Sequence, residues 1–374
     1  MLLYKPQKIY VEEKAKFYPL TSKILSRCQG TPVEVIDNVR SLIRNLHKRP
    51  DPIGEGKRYL FLAYDKGRSF KPFPESEAYL SCDYYTLHVA EGCDLECSYC
   101  ILQAYLTNPL LTVFVNIEET LEKLQTILDQ NRHQFFRIGT GQLADSLSLD
   151  HLTGFSEILV PFFARQQNAV LELKTKSTHT ARLLELDPQG STIVSWSMNS
   201  RKVQKEEEHK CAAIEDRISA AREVITRGYR VGFHFDPIID YDHWEGDYAQ
   251  VIDEIFALIP SEKIAWISLG CLRMMKELKP IMQNRFPKSE LALAEWIKGM
   301  DGKLRYFKPR RIEIYKKVVD LIRCRSENTT LYLCMETPEV WQHVLGMQAT
   351  KESVCAMLDR AGMRNHAPSP ILSY

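Results

Sequence analysis

Three cysteines stand close together in the chain, and their spacing is the strongest chemical signal in the sequence. Cys93, Cys97 and Cys100 follow the pattern C-x3-C-x2-C. Three thiolates this close can converge on one metal centre without closing a long loop. A [4Fe-4S] cube has four irons, so three protein ligands leave one iron open to a substrate or cofactor. We therefore predict that these cysteines bind one [4Fe-4S] cluster.

Zinc and three unrelated thiols are the alternatives to a cluster. Structural zinc sites have four ligands, and no fourth Cys or His lies at zinc-finger spacing from these three. The open iron of a cube can instead bind the amino and carboxylate groups of S-adenosylmethionine and pass an electron to its sulfonium. That step yields a 5′-deoxyadenosyl radical, chemistry that cofactors supply and the protein orients.

The middle of the chain alternates between strand and helix patterns. The predicted strands are 86–90, 111–115, 135–138, 170–173, 193–197, 230–235 and 265–269. The predicted helices between and after them are 117–130, 148–165, 176–186, 215–227 and 247–258. This order favours a parallel α/β sheet joined by right-handed crossovers. We expect a partial (β/α) barrel with its active site at the carboxyl ends of the strands.

Three regions follow from this pattern. Residues 1–80 form a predicted N-terminal accessory region, with an amphipathic helix at 33–47 and a strand at 59–64. Residues 81–280 are the predicted core that carries the cluster. Residues 281–374 form a basic, mainly helical extension, with helices at 311–323, 338–346 and 351–361 and a strand at 330–334.

The bulk composition is that of an ordinary globular protein. The 374 residues are 44% hydrophobic and 26% charged, and the formal net charge of +1 excludes a basic field over the whole chain. No apolar run reaches the roughly 20 residues that span a bilayer. The first residues carry no signal-peptide core, so we expect no membrane partner and a cytoplasmic location. Ten cysteines in a reducing compartment are not a disulfide framework.

Further motifs extend over most of residues 77–320. They are Glu77-Ala-Tyr79, Val115–Leu121, Lys174-Thr-Lys176, Ser197-Met-Asn199, Asp216–Ala221, Gly228-Tyr229, Gly232–Pro237 and Trp244-Glu245. Together with the cysteines, they make the sequence resemble the radical S-adenosylmethionine superfamily and, within it, the spore photoproduct lyase family. The cysteine spacing is specific to the superfamily, and the other motifs indicate the family.

This resemblance implies roles for individual residues. The three cysteines would ligate the cluster, and Tyr99 would lie against the adenine of the cofactor. The backbone carbonyls of Gly139-Thr-Gly-Gln142 would hold its amino group, Lys176 its carboxylate, and Ser197 and Asn199 its ribose and carboxylate end. In order, the implied cofactor-binding residues are Tyr99, Gly139, Gly141, Gln142, Lys176, Ser197 and Asn199.

Considered without the resemblance, some of these residues also fit a purely structural role. Gly139 and Gly141 permit a close approach of backbone to a ligand. Ser197 and Asn199 alternate onto one face of a strand, but they could equally form a turn at its end. Lys176 could be a solvated lysine at the start of a helix.

Three positions depart from the family pattern. Where the lyase has the cysteine that returns a hydrogen atom to the thymine radical, this chain has Gln142. Ile101 replaces a tyrosine of the same radical relay, and Ala144 replaces a serine that contacts the cofactor. We therefore name Tyr99 and Cys271 as candidate catalytic residues, with Cys271 as a replacement hydrogen donor. A lone buried cysteine could also be part of the core.

A basic run lies between residues 298 and 317, with Tyr306 and Phe307 inside it. Its cations are Lys298, Lys303, Arg305, Lys308, Arg310, Arg311, Lys316 and Lys317. Gly299 and Gly302 suggest the tip of a hairpin. Basic groups with interleaved aromatic rings suit phosphate contact and base stacking. The resemblance assigns Arg305, Tyr306 and Lys308 to the substrate; a solvated basic helix and turn is the alternative.

The sequence thus predicts a radical S-adenosylmethionine enzyme, a carbon–carbon lyase of the photoproduct type acting on a damaged pyrimidine in DNA. Such an enzyme needs an electron donor of the flavodoxin or ferredoxin type. The same radical chemistry on RNA, a peptide or a small molecule is one alternative. A non-enzymatic iron–sulfur or DNA-binding scaffold is another.

Overall fold

The computed structural model describes residues 3–67, 69–74, 76, 78–80 and 83–363. Glu77 of the family motif, and the end of the predicted C-terminal extension at 364–374, lie outside the described residues.

Strands and helices alternate along most of the chain. The strands β1 to β18 are Lys8–Glu12, Val33–Ile36, Tyr59–Ala63, Phe70–Pro72, Tyr84–Leu87, Ala90–Glu91, Glu96–Cys97, Leu111–Phe114, Phe136–Gly139, Ala169–Thr175, Thr192–Ser197, Glu208–His209, Arg230–Ile238, Ile264–Cys271, Arg273–Met274, Ile297–Lys298, Leu304–Arg305 and Leu331–Leu333. The helices α1 to α14 are Pro19–Arg27, Arg40–Leu46, Pro52–Gly56, Leu102–Tyr105, Ile117–Gln130, Asp150–Thr153, Phe155–Ala164, Arg201–Glu207, Ile214–Ile225, Trp244–Leu258, Leu278–Arg285, Lys308–Arg323, Pro338–Leu345 and Lys351–Gly362.

An eight-stranded sheet forms the centre of the molecule. Its strand order is β18-β14-β13-β11-β10-β9-β5-β4, and every neighbouring pair is parallel except β4 and β5. The sheet curls into a half-barrel. Because its strands are parallel, their carboxyl ends gather at one edge, and the predicted partial (β/α) barrel is confirmed.

A second sheet joins the N-terminal region to the core. Its order is β2-β1-β3-β8-β6, parallel except for the pair β6 and β8. Strand β3 pairs with β8, so the residues before 64 share a sheet with a strand of the predicted core region. The boundary at residue 80 stays a prediction, but the two regions are continuous in hydrogen bonding.

The covering helices follow from their apolar spacing. On α5, Ile117, Leu121, Leu124 and Leu128 recur at intervals of three and four residues, and all four are buried. Burying one such side chain contributes about 1.5–3 kcal/mol relative to leaving it in water. The predicted helix at 117–130 is confirmed with the same bounds.

Three predicted helices were wrong in part. Residues 33–36 form strand β2, because they pair with β1, and only 40–46 of the predicted 33–47 are helical. The segment 148–165 is broken at Gly154, whose φ is +64°. Residues 176–182 form no helix.

Local hydrogen bonds explain the missing helix after β10. The amide of Ser177 donates to the Thr175 hydroxyl at 2.9 Å, and the amide of Lys176 donates to the Asp145 carboxylate at 2.8 Å. Such side-chain bonds compete with the helical pattern. In the described residues, no helix is both long enough and apolar enough to cross a membrane.

Candidate active site

The cysteine segment lies beyond the carboxyl end of β5, at the edge where the parallel strands of the half-barrel end. Gly92 makes the turn into it with φ of +84°, and a Cβ there would lie 3.0 Å from the Leu110 carbonyl oxygen. Cys97 belongs to β7, which pairs antiparallel with β12 so that Cys97 faces Glu208. This short ladder connects the cysteine segment to a loop more than a hundred residues away.

The three predicted ligands have different surroundings. Cys93 and Cys100 line one open cleft, here called the cysteine cleft, together with Ile53, Lys57, Gln103 and Pro109. Cys97 contacts the ammonium of Lys176, at 3.7 Å from Sγ to Nζ. Burial raises the pKa of the Cys93 and Cys100 thiols. Metal binding would have to deprotonate them, which couples iron uptake to proton release.

The donor set fits a cube better than a single ion. Among the described residues, no three His, Cys, Asp or Glu side chains converge closely enough to hold one metal ion. In a cube, each thiolate binds a different iron, so the sulfurs need not meet at a common point. Three thiols within one turn-rich segment at the sheet edge suit that arrangement, and sulfur is the ligand that such clusters take.

Cys211 is a fourth thiol at this site, which sequence reasoning missed. Its Sγ lies 3.5 Å from Sγ of Cys97. A hydrogen bond from Cys211 lowers the pKa of Cys97, with Lys176 adding to the effect. Thiolates on separate irons of a cube are held farther apart than this hydrogen bond. The contact therefore places Cys211 beside the predicted ligand Cys97 rather than at the fourth corner of a cube.

We predict that Cys211→Ser retains the iron. A hydroxyl can still donate to the Cys97 sulfur, and the three predicted ligands are unchanged. After anaerobic reconstitution, iron per chain should equal that of the unmodified protein, whereas loss of about a quarter of the iron or a changed cluster type would identify Cys211 as a ligand.

A buried charged cluster lies next to Cys97. The ammonium of Lys176 donates to the hydroxyl of Tyr99 at 2.8 Å and pairs with the Glu208 carboxylate at 3.2 Å. The Tyr99 hydroxyl also donates to Glu208. The amide of Asn199 donates to the same carboxylate at 3.3 Å. Three of the predicted cofactor-binding side chains thus converge on Glu208, a residue that the sequence did not point to.

Arg217 completes this cluster. Its guanidinium donates to Glu208 at 2.6 Å, and both side chains are fully buried. Burial opposes ionisation, but Arg217 and Lys176 together lower the pKa of Glu208 to about 2. The Lys176 pKa is raised in turn, because Cys97, Glu208 and Tyr99 outweigh the effect of burial. These neighbours favour the charged form of Lys176 beside Cys97.

Ser197 lies at the end of β11 and is buried. Its carbonyl oxygen accepts from the Arg217 guanidinium at 2.8 Å. Asn199, two residues on, also donates to the Pro237 carbonyl at 3.1 Å. The two residues are therefore held at the sheet edge beside the charged cluster.

The glycine-rich strand end is packed against side chains. A Cβ at Gly139 would lie 1.7 Å from the Tyr84 hydroxyl oxygen, and one at Gly141 would lie 2.9 Å from the Lys174 Cβ. Packing alone therefore requires small residues here. The Gln142 side-chain oxygen accepts a hydrogen bond from Nε2 of His88 at 2.7 Å, so it is fixed at this edge.

A polar network fills the barrel interior below the site. The Glu172 carboxylate accepts from Tyr84 and Ser195 at 2.6 Å, from His234 at 2.8 Å and from Trp266 at 2.9 Å. Burial and Lys174 lower the pKa of His234. These four donors satisfy the buried carboxylate, so His234 serves this interior network.

Cys271 lies apart from the cysteine segment. It is 2% exposed, and its amide donates to the Tyr315 hydroxyl at 2.8 Å. Burial, then Glu336, raises the pKa of its thiol. It pairs with Ile238 of β13, and the charged and polar groups near its thiol are Tyr315, Glu336, Arg311 and Asp240, none of which is a predicted cofactor residue. Its role as a hydrogen donor stays a prediction without a contact that supports it.

The predicted hairpin in the basic run is confirmed, since β16 and β17 pair antiparallel around Gly302, whose φ is +78°. Carboxylates pair with five of the eight cations in this run, whereas Lys298, Lys316 and Lys317 are exposed. The pairs are Arg305 and Lys303 with Asp301, Lys308 with Glu339, Arg310 with Asp240, and Arg311 with Glu336.

The three residues assigned to substrate differ in accessibility. Arg305 is 2% exposed, with its guanidinium 4.0 Å from the centre of the Tyr79 ring. Tyr306 stacks on Trp296 with 5.1 Å between ring centres, so its ring is already covered. Lys308 is accessible but paired. Their role in substrate binding stays a prediction.

Comparison with known proteins decides the family. The family model for spore photoproduct lyase matches residues 4–321. The chain belongs to the spore photoproduct lyase family. It is therefore a radical S-adenosylmethionine enzyme. The spore photoproduct lyase of Bacillus subtilis is 26% identical over 299 residues, covering 78% of this chain and 85% of that protein. The lyase of a Geobacillus species is 26% identical over 294 residues, with the same coverage.

Solved structures of spore photoproduct lyase share the fold. One complexed with dinucleoside spore photoproduct has a TM-score of 0.78 at 22% identity and covers 89% of this chain and 100% of that one. A double mutant with bound AdoMet and the same dinucleoside also has a TM-score of 0.78, at 22% identity, and covers 89% of this chain and 100% of that one. The half-barrel, with its N-terminal strands, is thus a shared family fold.

Proposed function

We propose that this protein binds one [4Fe-4S] cluster on Cys93, Cys97 and Cys100 and cleaves S-adenosylmethionine to act on a pyrimidine photoproduct in DNA. The observation that carries the proposal is the contact between Lys176 and Cys97, 3.7 Å from Nζ to Sγ. The cation proposed for the carboxylate of the cofactor thus touches a proposed ligand of the cluster. A carboxylate held there would lie beside the iron.

The bound cluster and S-adenosylmethionine would together supply a carbon radical that abstracts hydrogen. The protein would orient both groups. Lys176 would hold the carboxylate by a charge-assisted contact. The Tyr99 ring would pack on the adenine, and Asn199 and Ser197 would accept the ribose end. Gly139 and Gly141 would leave the backbone of β9 accessible to the amino group. Glu208 would keep Lys176, Tyr99 and Asn199 in one orientation.

An electron donor and a nucleic-acid substrate complete the proposal. A protein carrier of the flavodoxin or ferredoxin type would reduce the cluster. Arg305, Tyr306 and Lys308 would contact the lesion after the hairpin rearranges, because the first two are buried in the present arrangement. We place this chemistry in the cytoplasm, where reduced thiols are maintained.

Gln142 determines how the reaction ends. An amide N–H is a poor hydrogen-atom donor beside a thiol S–H. We predict that Gln142→Cys raises the yield of repaired thymine, because a thiol S–H gives up a hydrogen atom to a carbon radical far more readily than an amide N–H does. Product analysis by mass spectrometry checks this; Gln142→Ser, which fills the same space without a thiol, is the matched control and should not raise the yield. An unchanged yield with cysteine would mean that another group already donates.

Anaerobic turnover tests the proposed function. The iron-loaded protein, S-adenosylmethionine and dithionite should form 5′-deoxyadenosine, and dinucleoside spore photoproduct should be converted to thymine. Lys176→Ala should retain iron but lose both products. Formation of 5′-deoxyadenosine with an intact dinucleoside would indicate that the radical acts on another substrate. The departures from the family pattern at Gln142, Ile101 and Ala144 would be consistent with that result. A protein that binds no iron after anaerobic reconstitution would contradict the proposal.

A further inference from the structure

The cysteine cleft connects two of the proposed cluster ligands to the outside of the protein. Cys93 and Cys100 line it and are partly exposed. Ile53 of helix α3 and Lys57, which follows the helix, supply one wall, and the segment after α4 supplies the other. The walls touch, since a Cβ on Gly56 would lie 2.3 Å from the Pro109 carbonyl oxygen. The rest of this inference depends on the proposed cluster.

Positive charge surrounds the cleft. Its cations are Arg44, Lys48, Arg49, Lys57, Lys210 and Arg285, and its carboxylates are Asp51, Glu55 and Glu96, with Asp94 and Asp145 beside Cys93. Glu96 alone is approached by three of these cations, Lys57 at 3.3 Å, Arg285 at 3.0 Å and Lys210 at 3.6 Å. The cations therefore outnumber the carboxylates in this region.

Two of the cations are free to face a partner. Arg44 and Lys48 are exposed and make no ion pair within the part of the chain that the structure describes. The ring of His47, the residue that follows α2, lies 2.9 Å from the carbonyl oxygen of Thr107, which stands between Leu106 and Asn108 of the cleft lining. This contact ties the end of α2 to the cleft wall. Because the whole chain has a net charge of only +1, the local excess is a distinct feature of this face.

An exposed aromatic ring stands on the same face. Tyr105 closes α4, is 51% exposed, and lies next in sequence to Leu106 of the cleft lining. Partly exposed tyrosines with a basic rim are typical anchors of protein interfaces. A short-lived electron-transfer encounter needs only a small interface of this kind.

We infer that this face, defined by Arg44, His47, Lys48, Arg49 and Tyr105 around the cysteine cleft, docks a small acidic one-electron carrier protein. Opposite charge would steer the carrier, and the cleft would bring its redox group close to Cys93 and Cys100. One electron would pass from the reduced carrier to the oxidised cluster, and no proton or bond would be exchanged.

Charge reversal tests the surface. The variant with Arg44→Glu, Lys48→Glu and Arg49→Glu should be reduced by purified flavodoxin hydroquinone about tenfold more slowly than the unmodified protein at about 50 mM salt, and the difference should shrink at about 300 mM. Stopped-flow absorbance of the cluster gives this rate. Calorimetric binding of oxidised flavodoxin should weaken in parallel. Reduction by dithionite and iron content should not change.

A matched control reverses three exposed cations near the amino ends of β13 and β14, at the opposite sheet edge: Arg222→Glu, Arg227→Glu and Lys263→Glu. It should keep the flavodoxin rate and affinity. Equal flavodoxin rates for the two triple variants, or a rate independent of salt, would overturn the docking surface while leaving dithionite-driven 5′-deoxyadenosine formation intact. A protein that takes up no iron would instead refute the proposed function, and the docking surface with it.

Discussion

Cys97→Ala should lose the cluster and, with it, cleavage of S-adenosylmethionine. The substitution removes one of three proposed ligands and the sulfur that touches both Lys176 and Cys211. Removing only an outer-shell partner of a metal costs about 10–100-fold in affinity or activity, so outright loss of a ligand should lower 5′-deoxyadenosine formation by at least about a hundredfold. Iron analysis and chromatography of the nucleoside measure the two effects.

Two other cysteines provide the controls for this loss. Cys324 is exposed at the end of α12 and Cys271 is buried with no predicted cofactor residue among the charged and polar groups near its thiol, so alanine at either should leave iron and nucleoside formation unchanged. Retention of full iron and full activity by Cys97→Ala would contradict the assignment of the three ligands. If Cys271→Ala retains its iron but gives a lower yield of thymine, the result would instead support the predicted role of Cys271 as a hydrogen donor.

Glu208→Ala should destabilise the protein and abolish cofactor binding. It would leave Arg217 and Lys176 as buried cations without their carboxylate, and breaking a buried ion pair in this way costs about 3–5 kcal/mol. For a chain of 374 residues, that corresponds to a melting temperature lower by about 4–6 °C. Differential scanning calorimetry measures the shift.

A conservative variant separates the effect of Glu208 on cofactor binding from its effect on folding. Glu208→Gln keeps the size of the side chain and its hydrogen bonds to Tyr99 and Asn199 but removes the charge that holds Lys176. It should fold, retain iron and bind S-adenosylmethionine more weakly in calorimetry. Glu254→Ala, which breaks an exposed pair with Arg201, is the control and should change the stability by less than about 1 kcal/mol. Unchanged binding in Glu208→Gln would reduce Glu208 to a purely structural role.

Local sequence was enough for the features that depend on neighbours along the chain. The spacing of Cys93, Cys97 and Cys100 indicated the cluster and the superfamily, and the apolar period of 117–130 predicted α5 with its bounds. Local reasoning failed where distant pairing decides. Val33–Ile36 was included in a helix predicted from the apolar spacing of 36–46, but it is a strand because β1 pairs with it. The stretch after β10 is held by Asp145 rather than by its own helix.

What the sequence by itself determined is the identity of the reactive groups, because three thiols in one short segment need no long-range folding to be near one another. Only the tertiary structure decided which charges surround them. The pairing of β7 with β12 brings Glu208 and Cys211 beside Cys97, and folding of the C-terminal region places Arg305 against the ring of Tyr79. Such contacts depend on burial and on strand register between remote segments, and neither is written in residue spacing.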